Sequence, residues 1–461
     1  MPGFRCGRVS SISSATRAPP PKNSGGGVAI LSDDGATIFA LSTAGLPSAI
    51  AIVRTSGPAS RSALEALAGR VPEPRYAALM SLRDPADGTP IDRALILWLP
   101  GPASETGEDM VEYHLHGSRA VASKLLETLG KYDEMRPAEA GEFLRRAFLN
   151  GKMDLTAAEG LGDLLDAETE SQRRHALAIA EGGLAARIAG WRERLLGAEA
   201  RLEAVLNFSD EGDVGEGDES FALDAADDVH GEIMETLAAP PAERLRDGIR
   251  VALAGPPNAG KSTLFNALVA REAAIVSPVA GTTRDVIEAP VDIDGIAFVF
   301  SDTAGLRDSG EAIEEEGVRR ARSVSERSDI LFWMGETADA PKGDHIIILH
   351  PRADEPRRAA KPAEAALSVS ATTGEGMAAL RALLLERARS LLPREDQLAL
   401  NQRQRLALRE AADALAEARA GDWILLVEAL RGARMALERL GGGGGVETML
   451  DALFGRFCIG K

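Results

Sequence analysis

The sequence is poor in cysteine, in long apolar runs and in positive charge. Only two of its 461 residues are cysteines, Cys6 and Cys458, which excludes a disulfide scaffold and a cysteine-rich metal site and fits a reducing compartment. No uninterrupted apolar run approaches the ~20 residues of a membrane span, so no membrane partner is expected. Lysine and arginine number 52 against 70 acidic residues, a net charge of −18. A generally basic surface is therefore excluded, and any RNA contact must be a local basic patch.

The remaining composition is typical of a globular protein. Hydrophobic residues make up 45% and charged residues 26%, and the length predicts about two to four domains at roughly 150 residues each. Residues 1–35 form a separate tail, in which no acid precedes Asp33 and the positive residues are Arg5, Arg8, Arg17 and Lys22. Such a start resembles an organelle transit peptide. The alternative is a disordered or misassigned start.

Hydrophobic periodicity divides the rest of the chain into four segments. Residues 36–153 mix short strands with helices, which predicts an α+β domain with strands at 38–41, 49–54, 94–99 and 110–114 and helices at 60–68 and 120–129. Residues 154–247 have the apolar spacing of long amphipathic helices. Residues 248–392 alternate strand and helix, as a parallel α/β domain does, and 393–461 are helical again. The α/β unit is thus predicted to be inserted into a helical domain.

Two stretches of the helical segments stand out. Residues 209–228 carry nine acids and no base and are predicted to be a solvated loop. After a glycine-rich break at 441–445, apolar residues share one helical face, so the tail is expected to dock. Those residues are Val446, Met449, Leu450, Leu453, Phe454 and Phe457.

A phosphate-binding loop begins the α/β segment. The apolar strand 249–254 leads into Gly255-Pro256-Pro257-Asn258-Ala259-Gly260-Lys261-Ser262 and then a helix, which is GxxxxGK[ST] in its proper context. Backbone N–H groups at a helix N-terminus surround phosphate, Lys261 reaches the β- and γ-phosphates, and the Ser262 hydroxyl binds Mg²⁺. The nucleotide contacts are expected from Asn258, Ala259, Gly260, Lys261, Ser262 and Thr263.

Two further motifs follow at suitable distances. Asp302-Thr303-Ala304-Gly305, after the strand at 296–301, offers a carboxylate to the outer shell of the metal and a glycine amide to the γ-phosphate. Gly281-Thr282-Thr283-Arg284-Asp285 offers a switch threonine for Mg²⁺ and the γ-phosphate. Together with the loop, these motifs predict a nucleoside triphosphatase.

The base-reading motif is altered. Guanine-specific members use the Asp of N-K-x-D, and here the stretch is Pro351-Arg352-Ala353-Asp354. A charge-assisted contact through Asp354 is worth about 1.5–3 kcal/mol per hydrogen bond, which predicts guanine preference with looser affinity. Backbone contacts to the base are expected from Ser370, Ala371 and Thr372. An adenine site remains the alternative.

The hydrolytic water lacks its usual partner. Ras-like switches place Gln after D-x-x-G, whereas this chain has Leu306, which cannot hydrogen-bond a water. Asn258 is a neutral oxygen ligand beside the phosphates, so a monovalent cation held there could supply positive charge. A carboxylate for the water could come from Glu311, Glu314, Glu315 or Glu316, although such a run is also typical of a solvated helix face.

Several motifs together resemble the MnmE/TrmE family of tRNA-modifying GTPases over about residues 36–461. Outside the α/β segment they are Thr106-Gly107-Glu108-Asp109, the stretches 136–143 and 146–156, and the terminal Phe457-Cys458-Ile459-Gly460-Lys461. The resemblance implies a multidomain architecture: an N-terminal α+β folate-binding and dimerisation domain, a discontinuous α-helical domain, and an inserted α/β P-loop (Ras-like) G domain.

The resemblance also implies an activity. A homodimer would join a flavoprotein of the MnmG/GidA type in a heterotetramer that installs an aminomethyl-type group on C5 of the tRNA wobble uridine. A tetrahydrofolate derivative (5-formyl- or 5,10-methylene-) would supply the carbon, and glycine or ammonium the nitrogen. GTP hydrolysis would need Mg²⁺ and depend on K⁺, which drives G-domain dimerisation. The expected location is the bacterial cytoplasm, with organelle targeting by the tail left open.

Site residues follow from the resemblance position by position. Glu314 would orient the attacking water through a second water, and Cys458 matches a cysteine that some consider catalytic, the alternative being a small residue that packs the tail. K⁺ would be held by Asn258, Ser277, Val279 and Thr282, and Mg²⁺ by Ser262 and Thr283. Folate would be bound by Arg54, Glu112, Lys152 and Lys461.

Two other functions remain as hypotheses. One is a GTP-driven switch in ribosome assembly, as in related GTPases with Asn in the phosphate loop, although those usually append a small RNA-binding domain where this chain continues with helices. The other is a folate-binding aminomethyl carrier whose GTPase has decayed, as Pro351 would allow. Folate binding separates the ribosome-assembly switch from the other two hypotheses.

Overall fold

The structure is a computed structural model that describes residues 35–460 with internal gaps. Outside the description lie 1–34, 208–215, 271–272, 275–286, 303–326, 356–359, 395, 419–420, 444–446, 458 and 461. Over the described ranges, no helix combines the length and the apolarity that crossing a bilayer requires.

An N-terminal sheet of six strands comes first. Its strands are β1 (Thr37–Leu41), β2 (Ile50–Ser56), β3 (Ala78–Arg83), β4 (Pro90–Leu99), β5 (Met110–His116) and β6 (Met135–Pro137). The order is β3-β4-β5-β2-β1-β6, antiparallel except for the β1–β6 pair. Helices α1 (Ser60–Ala68) and α2 (Arg119–Leu129) pack on one face, and α3 (Glu142–Leu149) covers an end of the other. Sequence periodicity found β1, β2, β4, β5, α1 and α2 but not β3, β6 or α3.

The two faces follow from period-two alternation along the strands. On β2, Ala51 and Val53 are fully buried against α1 and α2, whereas Ile50 is 54% exposed. Leu79 and Leu95 are directly paired across β3 and β4 and are also exposed. The sheet therefore has an inner face that forms the core and an outer face that is open beyond α3.

A helical bundle is built from two separate stretches of chain. The first supplies α4 (Leu155–Leu165), α5 (Glu170–Ala180), α6 (Gly183–Asn207), α7 (Glu216–Ala238) and α8 (Ala242–Asp247), and the second supplies α11 (Gln402–Ala416) and α12 (Trp423–Leu440). Buried side chains of α6, α7, α11 and α12 form one core. The segment between these two stretches is therefore inserted into the bundle.

The predicted acidic loop is wrong from residue 216 onward, because α7 begins there. Ala222, Ala226, Val229 and Ile233 recur at spacings of three and four and are fully buried. This stripe packs into the bundle core, and the acids occupy the other face of the helix. Apolar periodicity therefore decides the structure here, although the net charge suggested a loop.

The inserted segment is an α/β sheet. Its strands are β7 (Ile249–Ala254), β8 (Ala273–Ala274), β9 (Ile287–Ile293), β10 (Ile296–Asp302), β11 (Ile330–Trp333), β12 (Ile346–Pro351) and β13 (Leu367–Val369), with helices α9 (Lys261–Val269) and α10 (Met377–Leu391). The order is β13-β12-β11-β7-β10-β9-β8. Neighbours from β13 to β10 are parallel, so their carboxyl ends meet at one edge.

The tail docks, as predicted, but its helix is shorter than the predicted apolar face. Helix α13 (Glu447–Phe454) ends before Phe457, and both phenylalanines are buried near α3 and α4. Ile459 then bridges to Ala140, and the Ser42 hydroxyl donates to the Gly460 carbonyl at 2.8 Å. The tail thus contacts the N-terminal sheet.

Candidate functional site

The phosphate loop lies at the carboxyl edge of the α/β sheet, between β7 and α9. Gly260 precedes the helix with φ 94°, and Asn258 also has a left-handed φ of 62°, a conformation that Asn tolerates better than most side chains. The Leu264 amide makes the first helical bond, to the Gly260 carbonyl. The amides of residues 261–263 therefore point from the helix N-terminus toward the loop, which suits an anion.

Lys261 lies inside this loop. Its side chain is largely buried, and Nζ donates to the carbonyls of Gly255 and Pro256 at 2.9 Å each. An ammonium group held by two neutral carbonyls is well placed to turn to a phosphate, which offers a stronger charge-assisted bond. Ser262 and Thr263 are exposed on the first turn, where their hydroxyl groups can reach a nucleotide and its metal.

The base-reading loop is bonded directly to the phosphate loop. Arg352 has φ 60°, and its guanidinium donates to the Asn258 carbonyl at 3.1 Å and pairs with Glu355. Its aliphatic stem runs past Gly260, where an added Cβ would lie 3.5 Å from Cγ of Arg352. The arginine in place of the motif's lysine therefore still connects the two loops.

Asp354 is oriented by the neighbouring loop after β13. A hydrogen bond from Ser370 holds the pKa of the Asp354 carboxyl below its usual range. Ser370 is fully buried, and its own Oγ also accepts from the Thr373 amide at 3.1 Å. Ala371 and Thr372 follow in the same turn. The structure therefore brings Asp354 together with the three residues predicted to contact the base.

Other predicted nucleotide residues can be placed only in part. Asp302 ends β10, where its backbone lies beside Leu253 of β7, at the edge that carries the phosphate loop. The remaining predicted ligands lie outside the described residues and stay predictions: Ser277, Val279, Thr282, Thr283, Thr303, Ala304, Gly305, Glu314, Cys458 and Lys461.

A second group of predicted residues meets on the outer face of the N-terminal sheet. Arg54 on β2 lies directly opposite Glu112 on β5, with Nε to Oε1 at 2.9 Å. The Arg54 guanidinium also lies 3.3 Å from Glu105 in the loop between β4 and β5. Further along that loop, a Cβ added at Gly107 would be 3.2 Å from Cε of Lys152. The loop thus lies between Arg54 and Lys152.

A buried polar network fixes this loop. Arg146 is 4% exposed and pairs with Glu108 at 3.1 Å and with Glu142 at 3.0 Å. Glu108 accepts from the Ser56 hydroxyl at 2.6 Å, which in turn lies 2.7 Å from that of Thr106. Burial opposes ionisation of Glu142, but hydrogen bonds led by that of Arg136 lower its pKa. Three of the motifs noted outside the α/β segment, 106–109, 136–143 and 146–156, therefore contribute residues to one network.

Sequence reasoning missed two members of the second site. His114 Nε2 lies 3.0 Å from Oε2 of Glu112, and Glu105 belongs to no recognised motif. Within the described part of the chain, no cluster of three or more His, Cys, Asp or Glu residues could hold a metal. Alternation along β5 places Glu112 and His114 on one face, but only the strand register reveals their partners.

Comparisons with known proteins cover nearly the whole chain outside the tail. A family model described as the GTP-binding protein TrmE N-terminus matches residues 37–152, and the MnmE helical domain model matches 155–458. The tRNA modification GTPase MnmE of Novosphingobium aromaticivorans is 51% identical over 436 residues, covering 92% of this chain and 99% of that protein. The MnmE of Sphingopyxis alaskensis is 54% identical over 420 residues, covering 89% and 100%.

The phosphate loop on a largely parallel sheet defines a P-loop nucleoside triphosphatase. The matches to family models and relatives then identify the family within this class. The chain belongs to the MnmE/TrmE family of tRNA modification GTPases and is a GTP-hydrolysing, tRNA-modifying enzyme. This favours tRNA modification over a ribosome-assembly switch.

Proposed function

We propose that this enzyme couples K⁺-dependent GTP hydrolysis to modification of the tRNA wobble uridine. With a flavoprotein partner of the MnmG/GidA type in a heterotetramer, it would install a (carboxymethyl)aminomethyl group on C5, using a one-carbon unit carried by tetrahydrofolate. GTP would supply the phosphoanhydride that is hydrolysed, and Ser262 and Thr283 would hold an Mg²⁺ ion that neutralises phosphate charge. The domains would divide at 36–153, 154–247, 248–392 and 393–461, and the location would be the bacterial cytoplasm.

The observation that carries the K⁺ proposal is the backbone of Asn258. Its carbonyl accepts a hydrogen bond from Arg352, and its left-handed φ is maintained in a loop that anchors Lys261 by two hydrogen bonds. Asn258 is exposed beside the helix N-terminus, where its amide oxygen is available to a cation. Because Leu306 cannot orient water, a bound K⁺ would supply the charge that an arginine finger supplies in other GTPases.

A comparison of salts tests this proposal. We expect GTP turnover by the purified full chain to be at least roughly tenfold faster in KCl than in equal NaCl, an effect of about 1.4 kcal/mol on the barrier. Asn258→Ala should remove the K⁺ stimulation, whereas Asn266→Ala, a matched change on the exposed side of α9, should retain it. Equal slow rates in both salts would overturn K⁺ dependence and leave the GTPase class intact.

The second site supports the folate proposal. Arg54 and Lys152 offer cations and Glu112 a carboxylate within one region of the outer sheet face, as a pteridine with an anionic glutamyl tail requires. The exposed side chain of Lys152 forms no ion pair with any described residue, so its ammonium group can meet an anionic ligand. Lys461 and Cys458 would join from the tail, whose neighbour Gly460 already contacts Ser42.

The outer face also supports a homodimer. Ile50, Leu79 and Leu95 are 54%, 55% and 38% exposed on the open part of this face. Cross-strand pairing joins Leu79 to Leu95, Leu95 to His114, and His114 to Ile52 in one continuous row. An apolar patch next to a ligand site is typical of an interaction surface, and a second copy of this chain is the partner that the proposed dimer supplies.

A further inference from the structure

Strand β12 ends at Pro351, directly before the loop that carries Asp354. In N-K-x-D this position is an Asn, whose side-chain amide can donate a hydrogen bond, whereas proline has neither a backbone N–H nor a polar side chain. Pro351 is buried, and its backbone pairs with Val369 of β13. The end of β12 therefore offers no hydrogen-bond donor to a base at the position where the motif supplies one.

The backbone donors of residues 353–355 are already used within the protein. The Ala353 amide donates to the Val369 carbonyl at 3.2 Å. The Glu355 amide donates to the Arg352 carbonyl at 3.1 Å, and the Asp354 amide bonds to its own carboxyl group. These three N–H groups fix the loop to β13 and to itself, so they are not available to a purine.

The side chain of Arg352 is directed away from the base in the same way. One nitrogen of its guanidinium donates to the Asn258 carbonyl at 3.1 Å, and the other terminal nitrogen pairs with the Glu355 carboxylate. Its stem runs past Gly260 of the phosphate loop. Both contacts point the guanidinium at protein acceptors, so this arginine joins two loops and does not replace the missing amide.

The Watson–Crick edge of guanine, in contrast, has its partners. The Asp354 carboxyl is exposed and is oriented by a hydrogen bond from Ser370, which suits the two parallel donors N1–H and 2-amino. The Ser370 amide is used, because it donates to the Glu375 carbonyl at 2.9 Å. The next two amides, of Ala371 and Thr372, lie in the same turn and can donate to O6. All three groups of this edge can therefore be bound.

Guanine has one further acceptor, N7 of the imidazole ring, which needs a donor to be recognised. We infer that this enzyme recognises guanine through its Watson–Crick edge and does not bind N7, and that Pro351 is the residue that sets this specificity. Nucleotides of 7-deazaguanine, which carry C–H in place of N7, are then ligands equivalent to the guanine nucleotides. The inference concerns the GTPase itself and is independent of the proposed K⁺ and folate functions.

Calorimetric titration of the full chain with GDP and with 7-deaza-GDP, in the presence of Mg²⁺, tests the inference. The wild type should bind the two nucleotides with dissociation constants within about threefold of each other. Pro351→Asn supplies an amide donor and should bind GDP about fivefold more tightly, the effect of one neutral hydrogen bond, with its affinity for 7-deaza-GDP unchanged. Pro362→Asn makes the same substitution in another loop of the α/β region and should bind both nucleotides like the wild type.

IDP, which lacks the 2-amino group, tests recognition of the Watson–Crick edge. It should bind the wild type roughly tenfold or more weakly than GDP, because Asp354 loses one charge-assisted hydrogen bond. Equal binding of IDP and GDP would overturn this part of the inference. A wild-type preference for GDP over 7-deaza-GDP of more than about threefold would show that N7 is bound and would overturn the rest. If Pro351→Asn keeps the wild-type thermal midpoint and gains no preference for GDP, the assignment to Pro351 is wrong. The comparison of nucleotides on the wild type decides the inference even if this variant does not fold.

Discussion

Replacing Asp354 by Asn should exchange guanine specificity for xanthine specificity. The hydrogen bond from Ser370 lowers the pKa of the Asp354 carboxyl, so this carboxyl is ionised at neutral pH and would accept from guanine N1–H and from the 2-amino group. An Asn side chain keeps one neutral acceptor and turns an N–H toward the 2-amino group. One charge-assisted bond is lost and the other is weakened, a cost of about 3 kcal/mol. GDP affinity should therefore fall roughly a hundredfold.

The assay is competition of GDP and XDP against a fluorescent guanine nucleotide at pH 7.5. Xanthine carries a carbonyl in place of the 2-amino group, so the Asn N–H gains a partner and XDP should bind Asp354→Asn more tightly than GDP. Asp344→Asn makes the same change at an exposed position of the α/β region and should leave both affinities unaltered. If Asp354→Asn retains GDP affinity within about threefold, base recognition through Asp354 is refuted and the adenine alternative gains weight.

Three further predictions concern stability. Arg146→Met removes the buried ion-pair partner of Glu108 and Glu142 and should destabilise the N-terminal region by about 3–5 kcal/mol. The same substitution at the neighbouring, partly exposed Arg145 should destabilise it far less. Equal decreases of the thermal midpoint in calorimetry would contradict the network. Burial raises the pKa of Asp163 to about 6, although Arg246 opposes this shift, so between about pH 4 and 6 the folded state binds more protons than the unfolded state and loses stability as pH rises. Asp163→Asn should therefore raise the thermal midpoint at pH 8 but not at pH 4. A higher midpoint at both pH values would refute the titration of Asp163. Gly460 has a left-handed φ of 99°, and an added Cβ would lie 2.6 Å from the Leu41 carbonyl oxygen, so Gly460→Ala should detach the tail and speed its proteolysis. Gly441→Ala should leave the rate of proteolysis unchanged, because a Cβ there would meet no atom closer than 3.8 Å.

The sequence was sufficient for features that depend on local pattern. The strand, glycine loop and Lys261 of the phosphate site follow from spacing alone, and the two-residue and 3.6-residue periods located most elements. The resemblance added Arg54, Glu112 and Lys152, which the structure brings to one region of the sheet. The placement of these residues follows from strand pairing over long sequence distances, which local pattern does not encode.

The features that the sequence did not predict depend on packing and on contacts between distant residues. Helix α7 was missed because nine acids and no base in 209–228 are typical of a solvated loop, although Ala222, Ala226, Val229 and Ile233 have helical spacing in the sequence and are buried in the structure. His114 and Glu105 acquire their roles from cross-strand register and from the path of one loop. A single sequence states neither register nor loop path, so only the fold could bring these side chains to Arg54.

The contact between Gly460 and Ser42 has a consequence for synthesis. The two residues are 418 positions apart in sequence, so a ribosome that adds about 5–20 residues per second needs roughly 20 to 80 s to reach one after making the other. During that interval the N-terminal sheet lacks the contacts that the tail later makes at Ser42 and Ala140. A nascent chain, or a fragment truncated before Ile459, would lack both contacts between the tail and the N-terminal sheet. The contact between Ser42 and Gly460 can therefore form only after the helical and α/β segments have been translated.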